Sequence, residues 1–379
     1  MLLIKQATIH AMTGAAPFVG DLLLSQGKIQ RIGPELSCPE AQELDARGLH
    51  AYPGLVDAHT HIGGMNFSAY ESEDDYNEMT ASLTSSVSAL YGANPASQDF
   101  RYAVHSGITT LCLTPGSGNV LNGTAIAVKS YGNNIFDMVV RDAVAMKVAL
   151  GGNPKRTYAK VNQAPSTRMS IPYLMRDLHQ RTLAYSQKKE RGEAVEYDAQ
   201  LEAMLPVLHG QLPLKIHCTQ FDILTAIEIA REWNAAFSLE HVWGATQYMD
   251  EIVESGCSVC FGPIGSMNSP GECAVIDIES VIELDKRGVT VALITDAPIL
   301  SVDSLLLHAG EAVRQGLSPE SAMRMLTISP ARILGVEDRV GTLEAGKDAD
   351  VVLFSGQPAL EMAARPVYTI GAGNIIFQA

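Results

Sequence analysis

The chain has 379 residues, 46% of them hydrophobic, with 42 acidic against 27 basic side chains and a net charge of −15. That length suits two domains or one large barrel with additions, and the apolar content excludes a disordered chain. The negative balance argues against nucleic acid as a partner, because a phosphate backbone needs a cationic face. No apolar stretch approaches the roughly 20 residues that span a bilayer.

The six cysteines are Cys38, Cys112, Cys218, Cys257, Cys260 and Cys273. Cys112 and Cys260 lie in apolar runs, where Cys behaves as a small buried hydrophobe. Cys257 and Cys260 form a C-x-x-C with no second pair, so neither a structural zinc nor a redox role is assigned to them. Free thiols fit a reducing cytoplasm, and the N-terminus reads as a strand rather than a leader. A cytoplasmic enzyme is expected, without nucleic-acid or membrane partners, acting as a homo-oligomer on a small molecule.

Short strands are expected first, over Met1–Ile9, Gly20–Ser25 and Lys28–Ile32, with Gln26-Gly27 as a hairpin turn. The C-terminal end repeats this texture at Ala349–Phe354, Val367–Ile370 and Asn374–Phe377. Two strand-rich ends can pair as one small β domain, since domain termini often lie close. The middle alternates strand-like and helix-like runs, the pattern of a parallel α/β fold. Its strands are expected at Ala51–Asp57, Thr109–Thr114, Ala125–Tyr131, Ala143–Ala149, Leu214–His217, Phe237–His241, Ser258–Gly262 and Thr290–Thr295. Eight strands with helical crossovers predict a closed (β/α)8 TIM barrel over residues 52–337, with a β-sandwich from 1–51 plus 338–379. Helices are expected over Asp222–Asn234 and from Ser318-Pro319-Glu320 to Leu326. Two insertions leave strand C-terminal ends, the face where barrel active sites are built. One, Ile62 to about Ser97, carries the acidic run Glu71 to Asp75; the other, Gly151 to Gln211, is polar and helix-rich.

His59 and His61 stand two apart in Asp57-Ala58-His59-Thr60-His61. On a strand such residues share a face, so one rigid element can offer two imidazoles to one ion. His217, His241 and Asp296 end other apolar runs, and Lys147 lies near the end of another. Singly, each has an ordinary explanation: a hydrogen-bonded His, a snorkelling Lys, an Asp capping a helix. Six such residues at strand ends that one barrel mouth gathers point instead to a metal centre. Imidazoles with a carboxylate suit Zn²⁺ first, with Mn²⁺, Fe²⁺ or Co²⁺ as alternatives.

These residues resemble the metal-dependent amidohydrolase superfamily, and most nearly its imidazolonepropionase-like branch. The resemblance rests on Pro53-Gly54-Leu55-Val56-Asp57-Ala58-His59-Thr60-His61, on Gly107-Ile108-Thr109-Thr110, on Pro330-Ala331 and on Gly346-Lys347-Asp348-Ala349-Asp350. It implies one or two divalent ions. With two, His59, His61 and Asp296 would hold one, His217 and His241 the other, and a CO₂-derived carbamate on Lys147 would bridge them; with one, Lys147 would be a plain ammonium paired to an acid. It implies hydrolysis of an amide, a cyclic amide or a dipeptide bond by metal-activated hydroxide, with Asp296 as general base and then acid. A lactonase or esterase on the same site is the alternative. Ring deamination is disfavoured, since the position of the Glu that deaminating relatives often carry is Gln220 here. Arg168, in a polar loop-like run, and Tyr131 are candidate substrate-binding residues. Gly116-Ser117-Gly118 lacks a fuller phosphate-binding fingerprint and reads as a turn.

Overall fold

The computed structural model describes residues 1–65, 74–265, 271 and 274–379; Glu71, Glu73 and Cys273 lie outside them. Two eight-stranded sheets organise the chain. The strands of the first follow one another in chain order: Leu55–Thr60, Ile108–Leu113, Leu121–Lys129, Val139–Ala149, Leu214–Cys218, Phe237–His241, Ser258–Phe261 and Val291–Leu293. They are called the first to eighth barrel strands below. Most of their residues are buried, as expected of strands covered on both faces. At the mouth the two edges meet: the Asp296 N–H donates to the His59 carbonyl at 3.2 Å, and the His61 N–H to the Ala297 carbonyl at 2.6 Å. The result is a TIM-barrel-like α/β fold.

Two expectations need correction. The third strand is antiparallel to both neighbours, so the barrel is not uniformly parallel. Parallel neighbours need a crossover of a dozen or more residues, and the stretch 114–120 between the second and third strands is too short for one. The run from Ala51 to Asp57 is also not one strand. His50–Pro53 pairs in the other sheet, and the barrel strand starts at Leu55. Gly54 makes the transfer, with its backbone so close to Thr109 that a Cβ would lie 2.0 Å from that hydroxyl oxygen.

The second sheet joins both chain ends, as composition suggested. Val351–Phe354 pairs antiparallel with His50–Pro53, which links the C-terminal strands to Leu2–Ile9 and its neighbours. Leu2, Ile4, Leu22, Leu24, Val351 and Leu353 pack there as an apolar cluster apart from the barrel core. Ionic contacts tie this sheet to the barrel. Lys129, at the end of the third barrel strand, places Nζ 2.9 Å from Asp348 and 2.7 Å from Asp350. Lys28 and Arg339 also reach Asp348, at 2.8 and 2.9 Å.

The expected helices form. Asp222–Glu232 buries Ile223, Ala226, Ile227 and Ala230, the apolar stripe read from its spacing. Ser318 caps Pro319–Arg324 by accepting the Ser321 N–H at 3.0 Å, although the helix ends before Leu326. The insertion after the fourth strand folds as Gly152–Ala159, Ser170–Glu190 and Ala199–Leu208. Among the described residues no helix is long and apolar enough to cross a membrane.

Candidate metal centre

The barrel brings the six strand-end residues to one mouth. The ring centroids of His59 lie 5.2 Å from His61 and 5.0 Å from His241, and those of His217 and His241 are 4.5 Å apart. One Asp296 carboxylate oxygen is 3.1 Å from His61 Nε2 and 3.5 Å from His59 Nε2. One ligand atom from each of these three residues falls within 4.8 Å of the others, a spacing that admits a metal ion.

The outer ring nitrogens show which faces are free. His59 Nδ1 donates to Glu240 Oε2 at 2.7 Å, His61 Nδ1 to the Thr114 carbonyl at 2.6 Å, and His241 Nδ1 to the Gly262 carbonyl at 2.8 Å. With the proton fixed on Nδ1, each Nε2 keeps its lone pair, the form a metal ligand needs. Burial, and then nearby Lys147 and His241, hold His59 well below the usual imidazole range. Burial likewise lowers His217 and His241, so these rings are neutral at pH 7. His217 Nδ1 and Asp296 Oδ1 are buried with no hydrogen-bond partner among the described residues. Buried polar atoms seldom stay unsatisfied, and a cation bonded to the cluster would relieve that cost. The donor set therefore fits a divalent ion.

Asp296 ionises readily despite its surroundings. Burial alone would raise its pKa, but His241, His61 and Lys147 hold it below the ordinary carboxylate value. Its backbone has φ 55°, and His241 and Val242 have φ 69° and 57°. Such left-handed conformations cost about 1–3 kcal/mol each for residues with side chains, and the fold bears them where two strands end at the centre.

Lys147 is fully buried, and its Nζ lies 3.3 Å from His59 Nε2. Among the described residues no carboxylate comes within 4.0 Å of it. Burial lowers its pKa to about 8, so a reactive free amine is accessible near neutral pH.

Glu240 was not singled out in the sequence. It is fully buried and takes three partners: His59, Lys215 Nζ at 2.8 Å and Ser238 Oγ at 2.6 Å. Lys215 sits beside Lys147 in register and is itself buried. Without Glu240, no carboxylate among the described residues would lie within 4.0 Å of the Lys215 ammonium. Asp57 is a second missed acid. It accepts from the Thr295 hydroxyl at 2.6 Å, tying the first barrel strand to the segment that follows the eighth, and burial pushes its pKa up to about 7.

A cleft opens above the centre in two lobes of about 290 and 530 Å³. Both are lined by Asn153, Arg156, His217, His241, Asp296 and Ile299. Arg168 lines the larger lobe, with its Nε held by Asp222 at 3.0 and 3.1 Å and its guanidinium 4.8 Å over the Phe221 ring. Tyr131 is not brought to the cleft. Its hydroxyl donates to Asp350 at 2.7 Å, in the seam between the two sheets. The Gly116–Gly118 turn packs under Asn77, whose Oδ1 accepts the Gly118 N–H at 2.8 Å.

A barrel with these donors at its mouth is built to hold a divalent ion. Residues 51–377 match the amidohydrolase family model. The full chain superposes on the full crystal structure of an amidohydrolase from Thermotoga maritima MSB8, at TM-score 0.96 and 34% identity. An imidazolonepropionase of Acinetobacter baumannii (strain AB307-0294) is 28% identical, over 90% of this chain and 88% of its own length. Amidohydrolase tasK of Hapsidospora irregularis is 25% identical over 94% of this chain, which spans 40% of that protein. The chain belongs to the amidohydrolase family, in its metal-dependent, imidazolonepropionase-like branch, and is a hydrolytic enzyme of carbon–nitrogen bonds.

Proposed function

We propose that the protein hydrolyses an amide, cyclic amide or dipeptide bond at a divalent centre held by His59, His61, His217, His241 and Asp296, with zinc as the first candidate. The observation that carries this is the set of three Nδ1 protons committed to Glu240, Thr114 and Gly262, which leaves Nε2 lone pairs beside an ionised Asp296. When bound, the metal supplies water activation and carbonyl polarisation. Asp296 accepts the proton of the attacking water on its carboxylate and delivers it to the departing nitrogen. Glu240 holds the His59 ring in one orientation throughout.

Lys147 is the residue that would carry the carbamate. Its ammonium would lose one proton to give the free amine, which would add to CO₂ and lose a second proton, so that a cation becomes an anionic oxygen donor between the two halves of the centre. The absence of a counter-acid within 4.0 Å, among the described residues, supports this over a plain ammonium. The imidazolonepropionases among the relatives favour a cyclic amide within this class. In this reading the two-ended sheet, 1–51 plus 338–379, is a small β-sandwich domain, and 52–337 is the catalytic barrel. The protein is taken to be a cytoplasmic homo-oligomer; the five described cysteines, all free, suit that compartment.

The test is a hydrolysis screen with zinc- and manganese-loaded protein against N-acyl amino acids, dipeptides, hydantoin-like rings and lactones. Cleavage of a C–N bond that disappears in Asp296→Asn is expected. Turnover confined to lactones and esters would overturn the reading.

A further inference from the structure

The cleft has two arginines on its walls, and the structure treats them differently. Arg168 is already committed to Asp222, so its charge is largely spent inside the protein. Arg156 is exposed, and no carboxylate among the described residues comes within 4.0 Å of it. Among the described residues its one side-chain hydrogen bond runs from a terminal guanidinium nitrogen to Asn153 Oδ1, at 2.8 Å. That contact steers the guanidinium and leaves its other N–H groups available. Arg156 and Asn153 are three residues apart on the helix Gly152–Ala159, so they share a face. The helix starts a few residues after Lys147, and the chain turns through Gly151 at φ 80° to enter it. The anchor is thereby fixed to the same strand as the centre.

A solvated surface Arg would be the ordinary reading, and position decides against it. Arg156 lines both lobes of the cleft together with His217, His241 and Asp296. Among the described residues this guanidinium has no acidic partner, although the chain carries 42 acidic against 27 basic side chains. The lobes hold no other carboxylate than Asp222 and Asp296, among the described residues; Asp222 is paired with Arg168, and Asp296 faces His61 in the centre itself. Phe221, Trp243 and Ile299 give the larger lobe apolar wall.

We infer that Arg156 binds a substrate carboxylate, so the bond cleaved belongs to an amide or cyclic amide that also carries a free carboxylate and an apolar group. A planar guanidinium meets a carboxylate through two parallel hydrogen bonds, which both tightens and orients binding. The inference rests on the hydrolase reading for the bond broken, but the binding step stands apart from turnover.

The experiment measures binding and hydrolysis separately, on the zinc-loaded full chain. The probes are N-acetyl-L-leucine and its neutral counterpart N-acetyl-L-leucinamide, titrated by calorimetry. Wild type is expected to prefer the acid by roughly tenfold or more, and Arg156→Met to erase that preference by weakening only the acid, about ten- to hundredfold. Arg156→Lys should recover part of it, since the charge returns without the fork. A preference that survives Arg156→Met, or that Arg168→Met abolishes instead, overturns the inference, as does wild type binding neither probe. An Arg156-dependent preference without hydrolysis of any C–N substrate would sink the hydrolase reading and leave the anchor standing.

Discussion

His59 Nδ1 donates to Glu240 Oε2 across 2.7 Å of fully buried barrel interior, and the same carboxylate oxygen receives Lys215 at 2.8 Å. One acid thus fixes a ligand ring and neutralises a buried lysine. Glu240→Gln keeps the shape but loses the charge, and partners of this kind typically contribute 10–100-fold to metal affinity. We expect zinc affinity to fall by about that factor with the fold intact. Competition with a chromophoric chelator measures it, and an unchanged affinity would remove Glu240 from the support of the centre.

Asp296 faces both His61 and His59, and its ionised form is favoured. Asp296→Asn keeps a neutral oxygen donor but cannot take a proton. Loss of general acid–base help typically lowers kcat by about 10²–10⁴. Most of the zinc should remain, because four imidazoles are untouched. Full activity of Asp296→Asn in a steady-state assay would remove the proposed proton carrier.

Lys147 should react with CO₂. Protein equilibrated with ¹³C-bicarbonate is expected to show a carbamate carbon signal by NMR, absent from Lys147→Met. Metal content should also fall in that variant, from roughly two ions per chain toward one, as a bridging donor is lost. A wild type without the signal, and with equal metal content in the variant, would leave Lys147 as a plain ammonium.

How much of this could be read from sequence depended on where each side chain lies on its strand. His59, His61, Lys147, His217, His241 and Asp296 were legible because each stands at or near the end of an apolar run, and barrel ends converge. Glu240 was not, because it precedes His241 directly, and alternation places neighbours on opposite faces. The chain resolves the conflict by turning His241 to φ 69°, so that both residues serve the centre. Strand direction was illegible for a different reason. Periodicity marks a strand without its polarity, and only the short 114–120 connection betrayed the reversed third strand. Tyr131, a candidate substrate-binding residue, follows the reversed strand and so lies at the opposite face, where Asp350 accepts a hydrogen bond from its hydroxyl.

The Gly346–Asp350 motif now has a structural role at the seam. Lys129 is largely buried against Asp348 and Asp350, and removing one partner of such a cluster costs about 3–5 kcal/mol. Lys129→Met should lower the thermal unfolding midpoint accordingly, and a change within error would show that the seam contributes little. Acid should act on the same cluster. Burial would raise the Asp348 pKa, but Lys129, Lys28 and Arg339 hold it at about 2, below its ordinary 3.8. A depressed carboxylate stabilises the fold above its unfolded pKa, and that stability is lost as pH falls from about 4 toward 2. Midpoints measured across that window should fall less steeply in Lys129→Met than in wild type.

Metal analysis by plasma mass spectrometry tests the account most directly. Zinc-loaded and dialysed wild type should retain roughly one to two ions per chain, and a variant with His59→Ala and His61→Ala should retain far less while staying folded by circular dichroism. A wild type that holds no stoichiometric divalent ion, or a double variant that holds as much, would contradict a metal centre at this barrel mouth.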